Sequence, residues 1–137
     1  MMRLGLDANV LLRALLNDDP EQSALARELL TSLDGERRGY LGISAVLEIF
    51  WVLRSRYRVP RETIQETMRE LLTIRYLDVE SSEAVAQALS MYQKRRAEFE
   101  DALLGERNAE AGCDFTYTFD RDASNAVHSM QILNKVP

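Results

Sequence analysis

Short apolar runs alternate along the chain with longer segments in which apolar residues recur every three or four positions. The short runs predict strands, and the longer segments predict amphipathic helices. The predicted strands are 2–6, 40–43, 76–79 and 115–119, with a small edge strand at 130–133. The predicted helices are 10–16, 19–33, 45–57, 60–74, 81–96 and 99–111, with a short one after residue 120. This alternation predicts one α/β domain over residues 1–137, with a central, mainly parallel sheet of four to five short strands flanked by helices.

Polar residues and glycine predict where several helices begin or end. We expect Asn9 and Ser44 to cap the helices that follow them through their side-chain oxygens. Asp19 is followed by Pro20, which favours the first position of a helix, so this pair predicts another helix start. Gly112 predicts the end of the helix before it, because glycine readily takes the left-handed conformation found there.

The composition indicates a globular protein that needs no disulfides. Of the 137 residues, 46% are hydrophobic and 28% are charged, and the net charge of −5 argues against a surface covered by nucleic acid. Metal ions can still supply positive charge inside an acidic pocket. The single cysteine, Cys113, predicts a reducing compartment, and we interpret it as a small buried apolar residue. The N-terminus shows no signal-peptide pattern, and no 18-residue apolar stretch occurs. We therefore predict a cytoplasmic protein without a membrane span.

Four acidic residues stand where a parallel α/β sheet forms ligand sites, beyond the carboxyl ends of its strands. Asp7 directly follows the first predicted strand, and Asp120 follows the fourth. Asp101 lies in the first turn of a predicted helix. Glu48 interrupts an apolar stretch, and because a buried unpaired carboxylate is costly, we expect it to face a pocket rather than open water. Each residue also has an ordinary structural explanation: a helix cap for Asp7 or Asp120, an arginine partner for Glu48, and a first-turn position for Asp101.

The chemistry of these acids favours a hard divalent cation. Four carboxylates without a histidine or cysteine cluster suit Mg²⁺ or Mn²⁺ better than zinc, and the only histidine, His128, lies late in the chain. Such ions commonly act on phosphate esters, where they lower the pKa of a bound water and neutralise the leaving oxygen. The chain contains no Gly-rich phosphate loop and no Ser-His-Asp or Cys-His pattern that would favour another mechanism.

Four sequence stretches occur in an order that matches a known family. They are Leu6-Asp7-Ala8-Asn9-Val10-Leu11-Leu12, Ile43-Ser44-Ala45-Val46-Leu47-Glu48, Phe99-Glu100-Asp101-Ala102-Leu103-Leu104 and Thr118-Phe119-Asp120-Arg121. Together with residues 17–22 and 51–55, they resemble PIN-domain ribonucleases, and more closely the VapC-type toxins of bacterial and archaeal toxin–antitoxin pairs. The resemblance covers essentially the whole chain.

The resemblance implies an α/β PIN-like fold and a Mg²⁺- or Mn²⁺-dependent endoribonuclease that leaves a 5′-phosphate. It implies the following acidic pocket: Asp7 and Asp101 as the main metal ligands, and Glu48 and Asp120 completing the site directly or through water. Asn9 and Thr118 match positions whose polar side chains support the pocket. Relatives often carry an aspartate where this chain has Glu98. Whether Glu98 or Asp122 joins the site, and whether one or two ions bind, is left open.

The resemblance also implies an RNA substrate and a cognate antitoxin. Two predicted helical regions, 19–33 and 45–74, carry many apolar residues: Phe50, Trp51, Leu53, Leu71 and Leu72 are among them. We expect some of these to form a homodimer face or to receive an antitoxin segment, the alternative being that all are core. The arginines that could steer RNA are Arg13, Arg54, Arg56 and Arg121.

Other functions remain as alternatives. A PIN-like module could bind RNA without cutting it, although intact acids at all four positions argue against this. A receiver-like signalling domain needs a late lysine, and Lys135 is too near the end to serve. A dehalogenase-type phosphatase needs a second aspartate two residues after Asp7, where Asn9 stands instead.

Overall fold

The structure is a computed structural model that describes residues 1–94 and 96–137. The chain divides into two compact units, Met1–Ser82 and Glu83–Pro137. The elements of the first unit, in chain order, are β1 (Met2–Gly5), α1 (Ala8–Leu16), α2 (Pro20–Thr31), β2 (Arg37–Leu41), α3 (Ile43–Ser55), α4 (Arg61–Leu72) and β3 (Leu77–Val79). Those of the second are α5 (Ser82–Gln93), α6 (Phe99–Glu110), β4 (Thr116–Thr118), α7 (Arg121–Ala126) and β5 (Met130–Ile132).

The first unit is built around a three-stranded parallel sheet in the order β1-β2-β3. Parallel neighbours require crossover connections, and these are supplied by α1 with α2 and by α3 with α4. The Leu6 N–H donates to the Tyr40 carbonyl at 2.9 Å, and the Glu80 N–H donates to the Leu41 carbonyl at 2.9 Å. The carboxyl ends of all three strands therefore lie at the same edge of the sheet.

The helices of the first unit bury a continuous apolar core. Its largest fully buried side chains include Leu11, Leu41, Val46, Ile49, Phe50, Leu53, Ile64, Met68 and Leu71. Helix α1 packs against both α2 and α3, and α3 also packs against α4. The apolar residues that we expected to form a partner surface thus divide: Phe50, Leu53 and Leu71 are core, whereas Trp51 is 61% exposed.

The second unit has its own two-stranded parallel sheet, in which β4 and β5 are connected through α7. Helix α6 comes very close to the segment between α7 and β5. A Cβ atom on Gly105 would lie 2.8 Å from Ser129 Oγ and 2.9 Å from Val127 Cγ1, so the contact requires a residue without a side chain. The Asn108 amide donates to Thr116 Oγ1 at 2.9 Å and ties α6 to β4.

The predicted α/β class and the order of the elements are confirmed. The five strands found among the described residues are divided between two hydrogen-bonded sheets, whereas we expected one central sheet. Asp19 accepts a hydrogen bond from the Gln22 N–H at 3.1 Å with Pro20 at the first helical position, as predicted. Gly112 ends α6 with a φ of 91°, also as predicted. Among the described residues, no helix combines the length and the hydropathy that a membrane crossing needs.

Several local predictions are wrong. Asn9 lies inside α1, and Asp7 occupies the N-cap position. Ser44 lies inside α3, whose first N–H, on Ile43, donates to Glu80 Oε1 at 2.8 Å, so a remote glutamate satisfies this end. Cys113 is exposed rather than buried, because it follows Gly112 in the turn after α6.

Helix α5 ends before the predicted boundary. The predicted helix runs to residue 96, while α5 ends at Gln93 and Arg96 lies in a bend. The part of the prediction that falls on residue 95 lies outside the described residues.

Candidate functional site

Asp7 and Glu48 lie on neighbouring elements of the first unit. Asp7 follows β1 and occupies the N-cap position of α1, with its side chain exposed. Within the described chain its carboxylate accepts no capping hydrogen bond from that helix. Glu48 lies in the second turn of α3, which follows β2 and packs against α1. Both acids therefore lie on segments that follow the carboxyl ends of adjacent parallel strands.

Glu48 is exposed, which corrects the expectation that it avoids open water. The apolar stretch around it is the buried side of α3, where Val46, Ile49 and Phe50 are completely covered. Helical spacing turns Glu48 to the other side of α3, together with the exposed Trp51. An acid within an apolar stretch of a helix thus marks a change of face rather than a buried charge.

Asp101 and Asp120 interact electrostatically within the second unit. Asp101 lies in the first turn of α6, and its side chain is half-buried. Burial raises the pKa of the Asp101 carboxyl above its ordinary value, and the negative charges of Asp120 and Glu98 raise this pKa further. Glu98, at the N-cap position of α6, therefore adds negative charge near Asp101. Asp122 is exposed in the first turn of α7 and is not among the causes of the shift.

Asp120 is held by hydrogen bonds through its side chain and through its backbone N–H. Its Oδ1 accepts a hydrogen bond from the Ala123 N–H at 3.0 Å and caps α7. The helix-cap role that was the structural alternative for Asp120 is therefore present. The Asp120 N–H donates to Thr118 Oγ1 at 3.0 Å. Thr118 thus positions the backbone of Asp120 directly, while Asn9 lies in the first turn of α1 in the other unit.

Other acids of the first unit have cationic or phenolic partners. Asp78 accepts two hydrogen bonds from Arg38, at 3.0 Å and 2.7 Å, and these lower the pKa of its carboxyl. The pKa of Asp18 is lowered first by the hydroxyl of Tyr57, and Arg13 lowers it too. Asp101 differs from both, because the charges that shift its pKa are carboxylates.

The arginines that could steer RNA differ in their surroundings. Arg13 donates to Gln22 Oε1 at 2.7 Å and pairs with Asp18 at 3.2 Å, so it is engaged within the first unit. Arg54 is exposed but has an interaction partner. Arg56 follows α3, and Arg121 begins α7, and both are exposed.

The candidate ligands are carboxylate oxygens, which suit a hard cation. Neither unit shows a complete group of metal ligands among the described residues. Within residues 1–94 and 96–137, no three histidine, cysteine, aspartate or glutamate side chains are arranged to hold a metal ion. The half-buried Asp101 is nevertheless repelled by the negative charges of Asp120 and Glu98, and a divalent cation would reduce this repulsion. Oxygen donors of this kind fit Mg²⁺ or Mn²⁺.

An apolar groove lies on the first unit between α1 and α2. It has a volume of about 380 Å³ and is lined by Asn9, Val10, Arg13, Gln22, Leu25, Ala26 and Leu29. Leu25 is 67% exposed beside it. Asn9 therefore borders this groove, a position that the cap prediction did not indicate.

The sequence prediction missed the exposure of the aromatic residues around β4. The prediction of a strand over 115–119 does not indicate side-chain exposure, and Phe115, Tyr117 and Phe119 are all partly or largely exposed. The signal was present in the sequence, because aromatic residues at alternate positions of a strand share one face.

Comparison with known protein families gives one match. Residues 5–128 match the family model described as PIN domain. The match extends over both compact units and includes Asp7, Glu48, Asp101 and Asp120. No curated protein matches the chain significantly.

Proposed function

The chain belongs to the PIN-domain family, and from that premise we propose that it is a metal-dependent endoribonuclease that hydrolyses RNA phosphodiester bonds. PIN domains are typically nucleases and generally bind divalent metal ions, which supports the reaction class and the cofactor class. The observation that carries the proposal is the environment of Asp101. A half-buried carboxylate with a raised pKa beside two further carboxylates is a typical feature of a functional site.

The proposed site consists of Asp7, Glu48, Asp101 and Asp120. Asp7 and Asp101 are the proposed main ligands of Mg²⁺ or Mn²⁺, and Glu48 and Asp120 complete the site directly or through water. A divalent ion bound there supplies positive charge that lowers the pKa of a water and neutralises the leaving oxygen. Because the family match spans both units, we propose that residues 1–137 form one functional domain.

The chain's own residues prepare this site for a cation. The cap of α7 orients the Asp120 carboxylate through Oδ1, and Thr118 holds the Asp120 backbone. Burial of Asp101 reduces the screening of its charge by water, which strengthens its attraction to a cation. Glu98 adds negative charge at the same place. The exposed Arg56 and Arg121 are the proposed contacts that steer the RNA backbone.

In the cell, we propose, the chain acts as the toxin of a toxin–antitoxin pair in the cytoplasm, where its RNA substrate is found. The groove between α1 and α2 supports this role, because its lining by Val10, Leu25 and Leu29 suits an apolar segment of a cognate antitoxin. The exposed Trp51 on α3 is the proposed centre of a homodimer face. A silent RNA-binding module and a receiver-like domain are not favoured, because the family match is to a domain that is typically a nuclease.

Cleavage of a structured RNA tests the catalytic proposal. The purified chain is incubated with the RNA in Mn²⁺ or in EDTA, alongside Asp7→Asn and Asp101→Asn. We expect cleavage in Mn²⁺ only, and a loss of more than about 100-fold in both variants, because even outer-shell substitutions at metal sites cost 10–100-fold. Circular dichroism checks that both variants are folded. Undiminished cleavage by both folded variants would contradict the site.

The partner proposal has a separate test. Leu25→Asp places a charge in the groove between α1 and α2, and Trp51→Asp places one on the exposed side of α3. We expect Leu25→Asp to prevent co-purification of a small protein from native expression, and Trp51→Asp to convert a dimer to a monomer in light scattering. A parent protein that is strictly monomeric and co-purifies with nothing would contradict both parts.

A further inference from the structure

Three exposed aromatic side chains lie at alternate positions on β4 and its flanks. We call Phe115, Tyr117 and Phe119 the aromatic platform. Phe115 lies just before β4, and its ring meets the ring of Tyr117 edge to face with the centroids 5.1 Å apart. Phe115 and Tyr117 are each 37% exposed, and Phe119 is 79% exposed. The chain has four phenylalanines, and the other two, Phe50 and Phe99, are fully buried.

Phe119 is held in solvent by an ordered backbone. Before it, the Thr118 carbonyl accepts a hydrogen bond from the Leu133 N–H at 2.9 Å. After it, the Asp120 N–H donates to Thr118 Oγ1, and Asp120 Oδ1 caps α7. These bonds restrict the backbone on both sides of the phenyl group. Several exposed apolar rings on an ordered backbone indicate a surface that meets a partner.

We propose that the aromatic platform stacks against unpaired bases of single-stranded RNA and thereby positions the strand beside Asp120. This inference rests on the proposed nuclease function, since Asp120 is one of its acids. Aromatic side chains bind bases through their faces, and this stacking requires bases that are not already paired within a duplex. Phe119 immediately precedes Asp120 in the sequence. A base stacked on the Phe119 ring therefore contacts the residue next to one of the proposed metal ligands.

The charge around the aromatic platform favours bases over phosphates as the contact. Asp114, Asp120 and Asp122 each lie within three residues of one of its members, all three are exposed, and they outnumber the exposed Arg121. Their negative charges repel phosphate groups but act only weakly on neutral bases. A strand that presents its bases here can keep its phosphates farther from these acids.

The size of the aromatic platform argues against a second copy of this chain as the occupant. The exposed parts of its three rings amount to roughly 300 Å², since an aromatic side chain offers about 150–250 Å². A stable protein interface needs about 800 Å² per partner. The platform is therefore too small for a stable dimer but large enough for one or two bases.

Binding of a labelled single-stranded oligoribonucleotide in EDTA tests the proposal without requiring cleavage. Fluorescence anisotropy compares the parent with Phe119→Ala, Phe119→Leu and Phe119→Trp. We expect Phe119→Ala and Phe119→Leu to bind about 5- to 100-fold more weakly, and Phe119→Trp to bind like the parent. Leucine keeps the apolar bulk without an aromatic face, so it separates stacking from simple hydrophobic contact. Met2→Ala is the control for the loss of an exposed apolar side chain elsewhere.

An oligoribonucleotide with abasic sites gives the second arm. Because it has no base to stack, we expect the parent and Phe119→Ala to bind it equally. Equal binding of the ordinary oligonucleotide by the parent and all three variants would overturn the proposal. So would a Phe119→Ala variant that changes the oligomeric state in light scattering while binding RNA normally, because this would assign the platform to a second copy.

The two proposals fail in distinguishable ways. Base-dependent binding through Phe119 without cleavage in Mg²⁺ or Mn²⁺ would contradict the nuclease function and leave the aromatic platform standing. Metal-dependent cleavage with unchanged RNA binding and KM in the Phe119 variants would contradict the platform and leave the nuclease function standing.

Discussion

Asp78 in the first unit and Asp101 in the second are both partly covered carboxylates, but their surroundings have opposite electrostatic effects. Asp78 accepts two hydrogen bonds from Arg38 on the neighbouring strand, and this partner lowers its pKa. Asp101 is half-buried, and the carboxylates of Asp120 and Glu98 add to the rise in its pKa. A neutralised acid stabilises the fold to which it belongs. An acid beside like charges is stabilised by a cation from outside the chain, which makes it the better candidate for function.

The largest expected difference between the two acids is in catalysis. Asp101→Asn should lower RNA cleavage in Mn²⁺ by more than about 100-fold, because an amide is a much poorer ligand for a hard cation than a carboxylate. Asp78→Asn should change cleavage by less than about 3-fold, because its partner is Arg38 rather than a metal or substrate. Initial rates on one RNA under identical conditions measure both. Equal losses in the two variants would remove the distinction on which the site assignment depends.

Metal binding should stabilise the parent protein and not the Asp101→Asn variant. A ligand that binds only the folded state at one hundred times its dissociation constant adds about 2.7 kcal/mol. Thermal unfolding with Mn²⁺ and with EDTA should show this gain for the parent and for Asp78→Asn. In EDTA, Asp101→Asn should be at least as stable as the parent, because it removes a charge that is repelled by Asp120 and Glu98. A parent midpoint that ignores the metal would identify the acids as structural.

The close approach of α6 at Gly105 should make the second unit sensitive to a single added methyl group. Gly105→Ala should lower stability by about 1–3 kcal/mol, because the new Cβ would lie 2.8 Å from Ser129 Oγ and 2.9 Å from Val127 Cγ1. Gly35→Ala is the matched control, since a Cβ there meets nothing within 4 Å. Urea unfolding of both variants measures the difference. Similar midpoints for the two would show that α6 can move away without cost.

The two acids should also give opposite and smaller effects on stability as the pH changes. The folded-state pKa of Asp78 lies below its ordinary value of 3.8, so its contribution is present above that value and is lost as the pH falls through the folded pKa. The folded-state pKa of Asp101 lies above 3.8, so its ionised form lowers stability at neutral pH, and acidification through that pKa relieves this.

Thermal midpoints in EDTA from pH 7 downward measure these effects. Asp101→Asn should start at or above the parent and converge with it as the pH falls. Asp78→Asn should start below the parent and converge with it at a lower pH. Parallel curves for Asp101→Asn and the parent would mean that Asp101 has an ordinary pKa.

Local signals in the sequence succeeded where one residue and its immediate neighbours decide the structure. Asp19 with Pro20 starts α2 because the cap and the restricted φ act within one turn, and Gly112 ends α6 through its own positive φ. The prediction for Ser44 failed because a distant part of the chain contributes to that helix start. The first N–H of α3 is bound by Glu80, 37 residues away, so no cap from Ser44 is required.

The sequence by itself determined the α/β class, the order of the elements and the set of candidate acids, because helical spacing, turn residues and strand ends are local properties. Only the tertiary structure decided which acids are neutralised, since Asp78 meets Arg38 across 40 residues and Asp101 meets Asp120 through the packing of the second unit. It also decided that Glu48 and Phe119 are exposed. Burial and electrostatic environment are sums over neighbours that are remote in sequence, and they exist only once the chain has folded.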